Sequence, residues 1–198
     1  AVVVAARHLD FVLGVRELAL ELHEVLRRLE VGIGLGHREQ PAERAGQDDL
    51  AGTERVDLAA LARQSAAEQS AQAVTEDVTV DVAVHGPPAA VDGDPVLLRH
   101  LIGNLLGNAL GYNHPGGRVQ LALDRRTLTV TNTGPEVPAD RLDDLFEPFR
   151  RVARDRTGQQ AGHGLGLSIV RSIAEAHGAA LTAAPGPQGG LRIEVRFP

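Results

Sequence analysis

Four stretches of this chain place apolar residues at every second position: Val78-Val80-Val82-Val84, Val119-Leu121-Leu123, Leu128-Val130 and Leu191-Ile193-Val195-Phe197. Polar or small residues stand between them, as in Thr79, Asp81 and Ala83, or Arg192, Glu194 and Arg196. A period of two predicts strands with one buried and one solvated face. Helix-period runs interrupt the strands: Val56 to Gln72, Asp94 to about Tyr112, a short one near Ala139 to Leu145, and about Leu165 to His177. Asp94 is a good N-cap with Pro95 at the first helical position, and Gly178 is a good C-terminal stop. Gly86 to Gly93 and Arg150 to Gly162 read as loops. The order α-β-α-β-β-α-α-β-β does not alternate as a doubly wound fold does. It predicts an α/β (α+β) two-layer sandwich, with a mixed, mostly antiparallel sheet and helices on one face.

The sequence has 198 residues, enough for one domain and an appendage. Residues 7 to 30 carry Leu18, Leu22, Leu26 and Leu29 at helical spacing, and residues 37 to 52 are polar with Pro41, Gly46 and Gly52. A domain is therefore expected at residues 53–198, preceded at 1–52 by a helical segment and linker. The net charge of −6 argues against a nucleic-acid partner. No apolar run reaches the ~20 residues that cross a bilayer as a helix. There is no cysteine, so thiolate metal sites are excluded, and no methionine, which points to a fragment or a processed product. Every basic residue other than histidine is arginine. Without lysine there is no P-loop.

Four constellations bear on chemistry. On the helix after Asp94, His100, Asn104 and Asn108 are four apart and share a face beside the apolar Leu97, Leu101, Leu105 and Ala109. Asparagine is a poor helix-interior residue, and its amide oxygen suits Mg²⁺. The other reading is a solvated polar face. Next comes Asn132-Thr133-Gly134-Pro135-Glu136-Val137-Pro138 after a strand, either an ordinary turn or one that reads the edge of a planar base. Leu145-Phe146-Glu147-Pro148-Phe149-Arg150-Arg151 holds two of the four phenylalanines, and reads as a hydrophobic loop anchor followed by positive charge. Last is Gly162-His163-Gly164-Leu165-Gly166-Leu167-Ser168-Ile169-Val170. Glycines that open into a helix leave backbone N–H groups free for phosphate. A Rossmann reading lacks both a preceding strand and a strand-end acid some twenty residues on, where Ala183, Ala184 and Pro185 stand.

Taken in order, these elements resemble the N, G1, F and G2 boxes of the sensor histidine kinases, in the ATPase superfamily shared with gyrase B, Hsp90 and MutL. The resemblance covers about Thr53 to Pro198, nearly three quarters of the chain. It implies a Bergerat-type ATP-binding domain with ATP and Mg²⁺ as cofactors. By similarity, Asn108 is the chief metal ligand and Asn104 aids the metal or the phosphates. Asn132 accepts the adenine amino group's hydrogen bond where most members carry aspartate. Gly134 allows close approach of the base. Gly162, Gly164 and Gly166 line the phosphates, and Phe149 to Ala161 form the ATP lid. Tyr112, Val137, Phe149, Arg150, His163, Leu165 and Leu167 complete the implied nucleotide contacts.

The chain departs from the family at Gly111, where a basic residue is common, and at His100, where glutamate is common. His23-Glu24 begins like a phosphoacceptor box, but Arg28 replaces its proline. Only 33 residues separate His23 from Val56, too few for a full dimerisation hairpin. His8 is followed by Leu9-Asp10. Neither histidine is assigned as acceptor. The implied function is transfer of the ATP γ-phosphoryl group to a histidine outside this chain. The implied partners are a histidine-bearing dimerisation domain and a response-regulator receiver domain. The implied location is the cytoplasm, whether or not a longer parent protein is membrane-anchored. The alternatives are an anti-sigma-type serine kinase and a non-catalytic ATP-sensing module.

Overall fold

In the computed structural model, residues 53–87, 90–147 and 165–198 are described, all within the unit Thr53–Pro198. The expected N-terminal helix with His8 and His23 lies outside the described residues. So do Phe149, Arg150, Gly162, His163 and Gly164, with the rest of the expected lid.

The strands are β1 (Glu54–Asp57), β2 (Val78–His85), β3 (Ala90–Gly93), β4 (Gly117–Asp124), β5 (Thr127–Asn132), β6 (Gly134–Glu136), β7 (Ala180–Pro185) and β8 (Gly189–Arg196). The helices are α1 (Leu58–Glu68), α2 (Ser70–Thr75), α3 (Pro95–Gly111) and α4 (Gly166–Ala176). The main sheet runs β2-β4-β5-β8, with β7 along β8 and β6 beside the start of β8. Only β2–β4 and β6–β8 are parallel; β4–β5, β5–β8 and β7–β8 are antiparallel. Along β4, Val119, Leu121 and Leu123 are buried while Arg118, Gln120 and Asp124 are exposed, so one face is covered and the other is wet. This is the expected mixed, mostly antiparallel two-layer sandwich.

Helix α3 is the axis of the covered layer. Leu97, Leu98, Leu101, Ile102, Leu105, Leu106, Ala109 and Leu110 are all buried. Full burial of each leucine or isoleucine contributes about 1.5–3 kcal/mol. The Asp94 side chain accepts from the N–H groups of Val96 and Leu97 at 2.8 and 3.2 Å, as an N-cap should. Helix α4 ends where Gly178 takes φ +62.

Three local expectations change. The helix expected over Val56–Gln72 begins as strand β1, because Asp57 caps α1 by accepting from Ala59 and Ala60. The chain bends at Gln69, and helix resumes to Thr75. The expected loop before Asp94 contains β3, which pairs with β1 and buries Val91. The helix expected over Ala139–Leu145 is two 3₁₀ turns, Ala139–Arg141 and Asp143–Phe146.

Candidate nucleotide-binding site

Helix α3 has two unlike sides. The side opposite its leucines carries His100, Gly103, Asn104, Gly107, Asn108 and Gly111, and all six are half-buried. Residues three and four apart are neighbours on a helix, so these six make one continuous strip. A Cβ added at Gly103, Gly107 or Gly111 would meet no described atom within 4 Å. Each interior glycine costs the helix about 1 kcal/mol relative to alanine. No packing contact among the described residues offsets that cost. Among the described residues, nothing covers these glycines beside the two asparagines.

Asn104 lies in the middle of this strip, with its amide fixed. Its Nδ2 donates to the His100 carbonyl at 2.8 Å. Its Oδ1 then lies 3.1 Å from where a Cβ on Gly166 would stand. Gly166 is the first residue of α4, and no described side chain caps that helix start. Its leading N–H groups, with their positive partial charge, therefore adjoin Asn104. One turn on, the Asn108 side chain makes no hydrogen bond to any described residue, so its amide is available to a ligand. Leu165 and Leu167 flank Gly166; Leu167 is buried and anchors the helix start, while Leu165 is half-buried.

Asn132 lies at the far end of β5, on the buried face, only 6% exposed. Its Nδ2 donates to the Thr133 carbonyl at 2.7 Å, which leaves Oδ1 as an acceptor. The turn after it is held rigidly. Thr133 Oγ1 donates to Asn113 Oδ1 at 2.7 Å and accepts from the Arg118 N–H at 2.8 Å. These bonds tie the end of α3 to the turn. At Gly134, φ is +152 and a Cβ would strike the Tyr112 carbonyl. On the other side a Cβ on Gly190, at φ +70, would strike the Asn132 carbonyl. Both glycines permit backbone to touch backbone where a side chain has no room. Tyr112 and Val137 are half-buried at the two ends of this region.

Two features escaped the sequence reading. The glycine row of α3 was legible as Gly103, Gly107 and Gly111 at intervals of four. The other is His177, 7% exposed at the end of α4. Its Nδ1 is 2.8 Å from the Ile173 carbonyl and its Nε2 is 3.1 Å from the Asp94 N–H. A carbonyl only accepts and an amide only donates, so Nδ1 carries the proton and the ring is neutral. Burial pushes its pKa below the usual range, against the Ile173 bond and the Asp94 charge.

Stability therefore depends on pH in a defined direction. The unfolded imidazole takes up a proton near pH 6.5, its ordinary value, while the folded one resists until lower pH. The stabilisation is complete above about pH 6.5 and is lost as pH falls from there through the depressed folded value. Urea melts between pH 7.5 and 5 are expected to show this loss in the native chain and a smaller one in His177→Gln. Equal slopes would remove His177 from the account.

Residues 93–198 match the model of the histidine kinase-, DNA gyrase B- and HSP90-like ATPases. The chain belongs to this family. Among characterised relatives, the sensor protein CutS of Streptomyces coelicolor is 46% identical over 148 residues, which is 72% of this chain and 35% of CutS. The chain thus spans about a third of the length of that relative. The mycobacterial sensor histidine kinase MprB superposes with a TM-score of 0.63 at 29% identity, covering 74% of this chain and 97% of that one. Full-length ShkA in complex with AMPPNP gives 0.61 at 26% identity, covering 96% of this chain and 38% of ShkA. Within the ATPase family, then, it is the sensor histidine kinases that this chain resembles. Among the described residues, no helix is long and apolar enough to cross a membrane.

Proposed function

We propose that residues 53–198 form the ATP-binding catalytic domain of a two-component sensor histidine kinase, with residues 1–52 a helical segment and linker. The observation that supports this most is the meeting of Asn104 with Gly166 at the start of α4, which no described side chain caps. Neutral amide oxygens and helix-terminal N–H groups, side by side, suit a magnesium-bound phosphate chain. Asn108, whose side chain has no hydrogen bond to a described residue, is assigned as the metal ligand and Asn104 as its neighbour toward the phosphates. Asn132 Oδ1 is assigned to the adenine amino group, with Gly134, Tyr112 and Val137 shaping the base pocket. Gly162, His163, Gly164, Leu165, Gly166 and Leu167 are assigned to the phosphates, and Phe149 and Arg150 to the start of the lid. ShkA, a structural relative, holds an ATP analogue.

Bound Mg²⁺ would offset phosphate charge. The chain's own task is positioning: α3 offers amide oxygens, α4 offers N–H dipoles, and the turn at Asn132 fixes the base. No side chain of the site is needed as nucleophile, because phosphoryl transfer to a histidine takes its nucleophile from the acceptor imidazole. That acceptor is assigned to a dimerisation domain rather than to His8 or His23. The receiving partner is assigned as a response-regulator receiver domain, and the compartment as the cytoplasm.

The test is a fluorescent ATP-analogue titration with and without Mg²⁺, followed by incubation with γ-labelled ATP. Magnesium-dependent binding is expected, with label appearing on a family dimerisation hairpin supplied in trans and not on this chain. Absence of binding would overturn the reading. Label on His8 or His23 would overturn only the acceptor assignment.

A further inference from the structure

Helices α3 and α4 run antiparallel, and two points fix this. At one end the His177 ring accepts the Asp94 N–H at 3.1 Å. At the other, Asn104 lies against Gly166. Asp94 to Asn104 is ten residues and Gly166 to His177 is eleven, so both helices cover about 15 Å between the two points.

Each helix carries a buried aliphatic face, with Leu97, Leu98, Leu101 and Leu105 on α3 and Ile169, Val170 and Ile173 on α4. Aliphatic packing opposes separation but is non-directional. A hydrogen bond fixes position along the axis as well. A slip of one turn would carry Gly166 about 5.4 Å past Asn104. The ring is itself held from behind by the Ile173 carbonyl. It is also enclosed in front, because a Cβ on Gly93 would approach its Cδ2 to 2.6 Å.

We propose that His177 is a positioning residue for the phosphate site: by pinning the end of α4 to the first turn of α3, it sets the register that brings the start of α4 to Asn104. It acts through the helix, about 15 Å from the site, and touches no ligand. This rests on the assignment of Asn104 and Gly166 to the phosphates, and the experiment separates the two.

The full 198-residue chain is compared with His177→Leu, which fills the space without hydrogen bonding, and with His177→Gln, which can accept from Asp94 and donate to Ile173. Two ligands are titrated, Mg-AMPPNP and adenosine, and the backbone amide signal of Gly166 is followed by NMR without ligand. His177→Leu is expected to displace the Gly166 signal and to weaken Mg-AMPPNP about tenfold or more, since misplacement of an ångström is costly at a preorganised site. Adenosine, which depends on the turn at Asn132, is expected to bind as before. His177→Gln is expected to restore both the Gly166 signal and the affinity. A residue that only stabilises the fold would weaken both ligands together, and that result overturns the inference, as does an unmoved Gly166 signal. If the native chain binds neither ligand, the phosphate assignment fails, and the register then stands or falls on the Gly166 amide. Should His177→Leu not fold, a Gly166 signal in His177→Gln that fails to match the native one overturns the inference.

Discussion

Asn108→Ala is expected to lose magnesium-dependent ATP binding by a factor on the order of 100 or more, without loss of fold. The side chain makes no hydrogen bond to any described residue, so its removal leaves no orphaned partner among them. It sits on the half-buried strip of α3, away from the buried leucines. Alanine is also the better helix former, so thermal stability should hold or rise slightly. The loss falls on the ligand. Removing even an outer-shell partner of a bound metal costs roughly 10–100-fold, and removing a direct ligand costs at least that. Asn108→Asp is the informative companion, because it keeps the shape and an oxygen but adds a charge beside the phosphates. A titration in which Asn108→Ala matches the native chain would remove this residue from the metal site.

Gly134→Val is expected to cost both binding and stability. The backbone there, at φ +152, is unfavourable for a β-branched residue, and the new side chain would collide with the Tyr112 carbonyl. Strain of this kind costs on the order of 1–3 kcal/mol before the collision is counted. Relief requires the turn to leave Tyr112, which pulls Asn132 away from the base pocket. Nucleotide affinity should therefore fall in parallel for ATP and adenosine, unlike the phosphate-selective loss expected at His177. Calorimetry and chemical denaturation would register both effects. Unchanged adenosine binding by a folded Gly134→Val chain would contradict the role given to this turn.

Strands β4, β5 and β8 were legible because each buries one face, and a period of two survives in the residues themselves. Helix α3 was legible from both its cap and its stripe. What misled was local. Val56 to Gln72 carries enough alanine and leucine to look helical throughout, yet Asp57 prefers to cap, and the three residues before it find a partner in β3 some 35 residues away. Such pairing leaves little mark on a four-residue stretch. Of the candidate site, Asn104, Asn108, Asn132, Gly134 and Gly166 were visible as unusual residues in unusual places. The distance between Asn104 and Gly166 was not, because it depends on how two helices lie along each other. His177 gave almost no signal: a single histidine before a helix-stopping glycine looks like a cap residue until Asp94 is seen beneath it.

The place of β8 has a consequence for how the domain comes to exist. This strand pairs with β5, β6 and β7, and its opening glycines press against the backbone of the turn at Asn132. Among the described residues it is also the last of the eight strands in chain order. Until it emerges, β5 has an open edge, β7 has no neighbour and the turn has no floor. The main sheet is therefore complete only once Gly189–Arg196 has emerged. A nascent chain halted before Gly189 should remain an open sheet, exposed to association through its edges and unable to hold nucleotide.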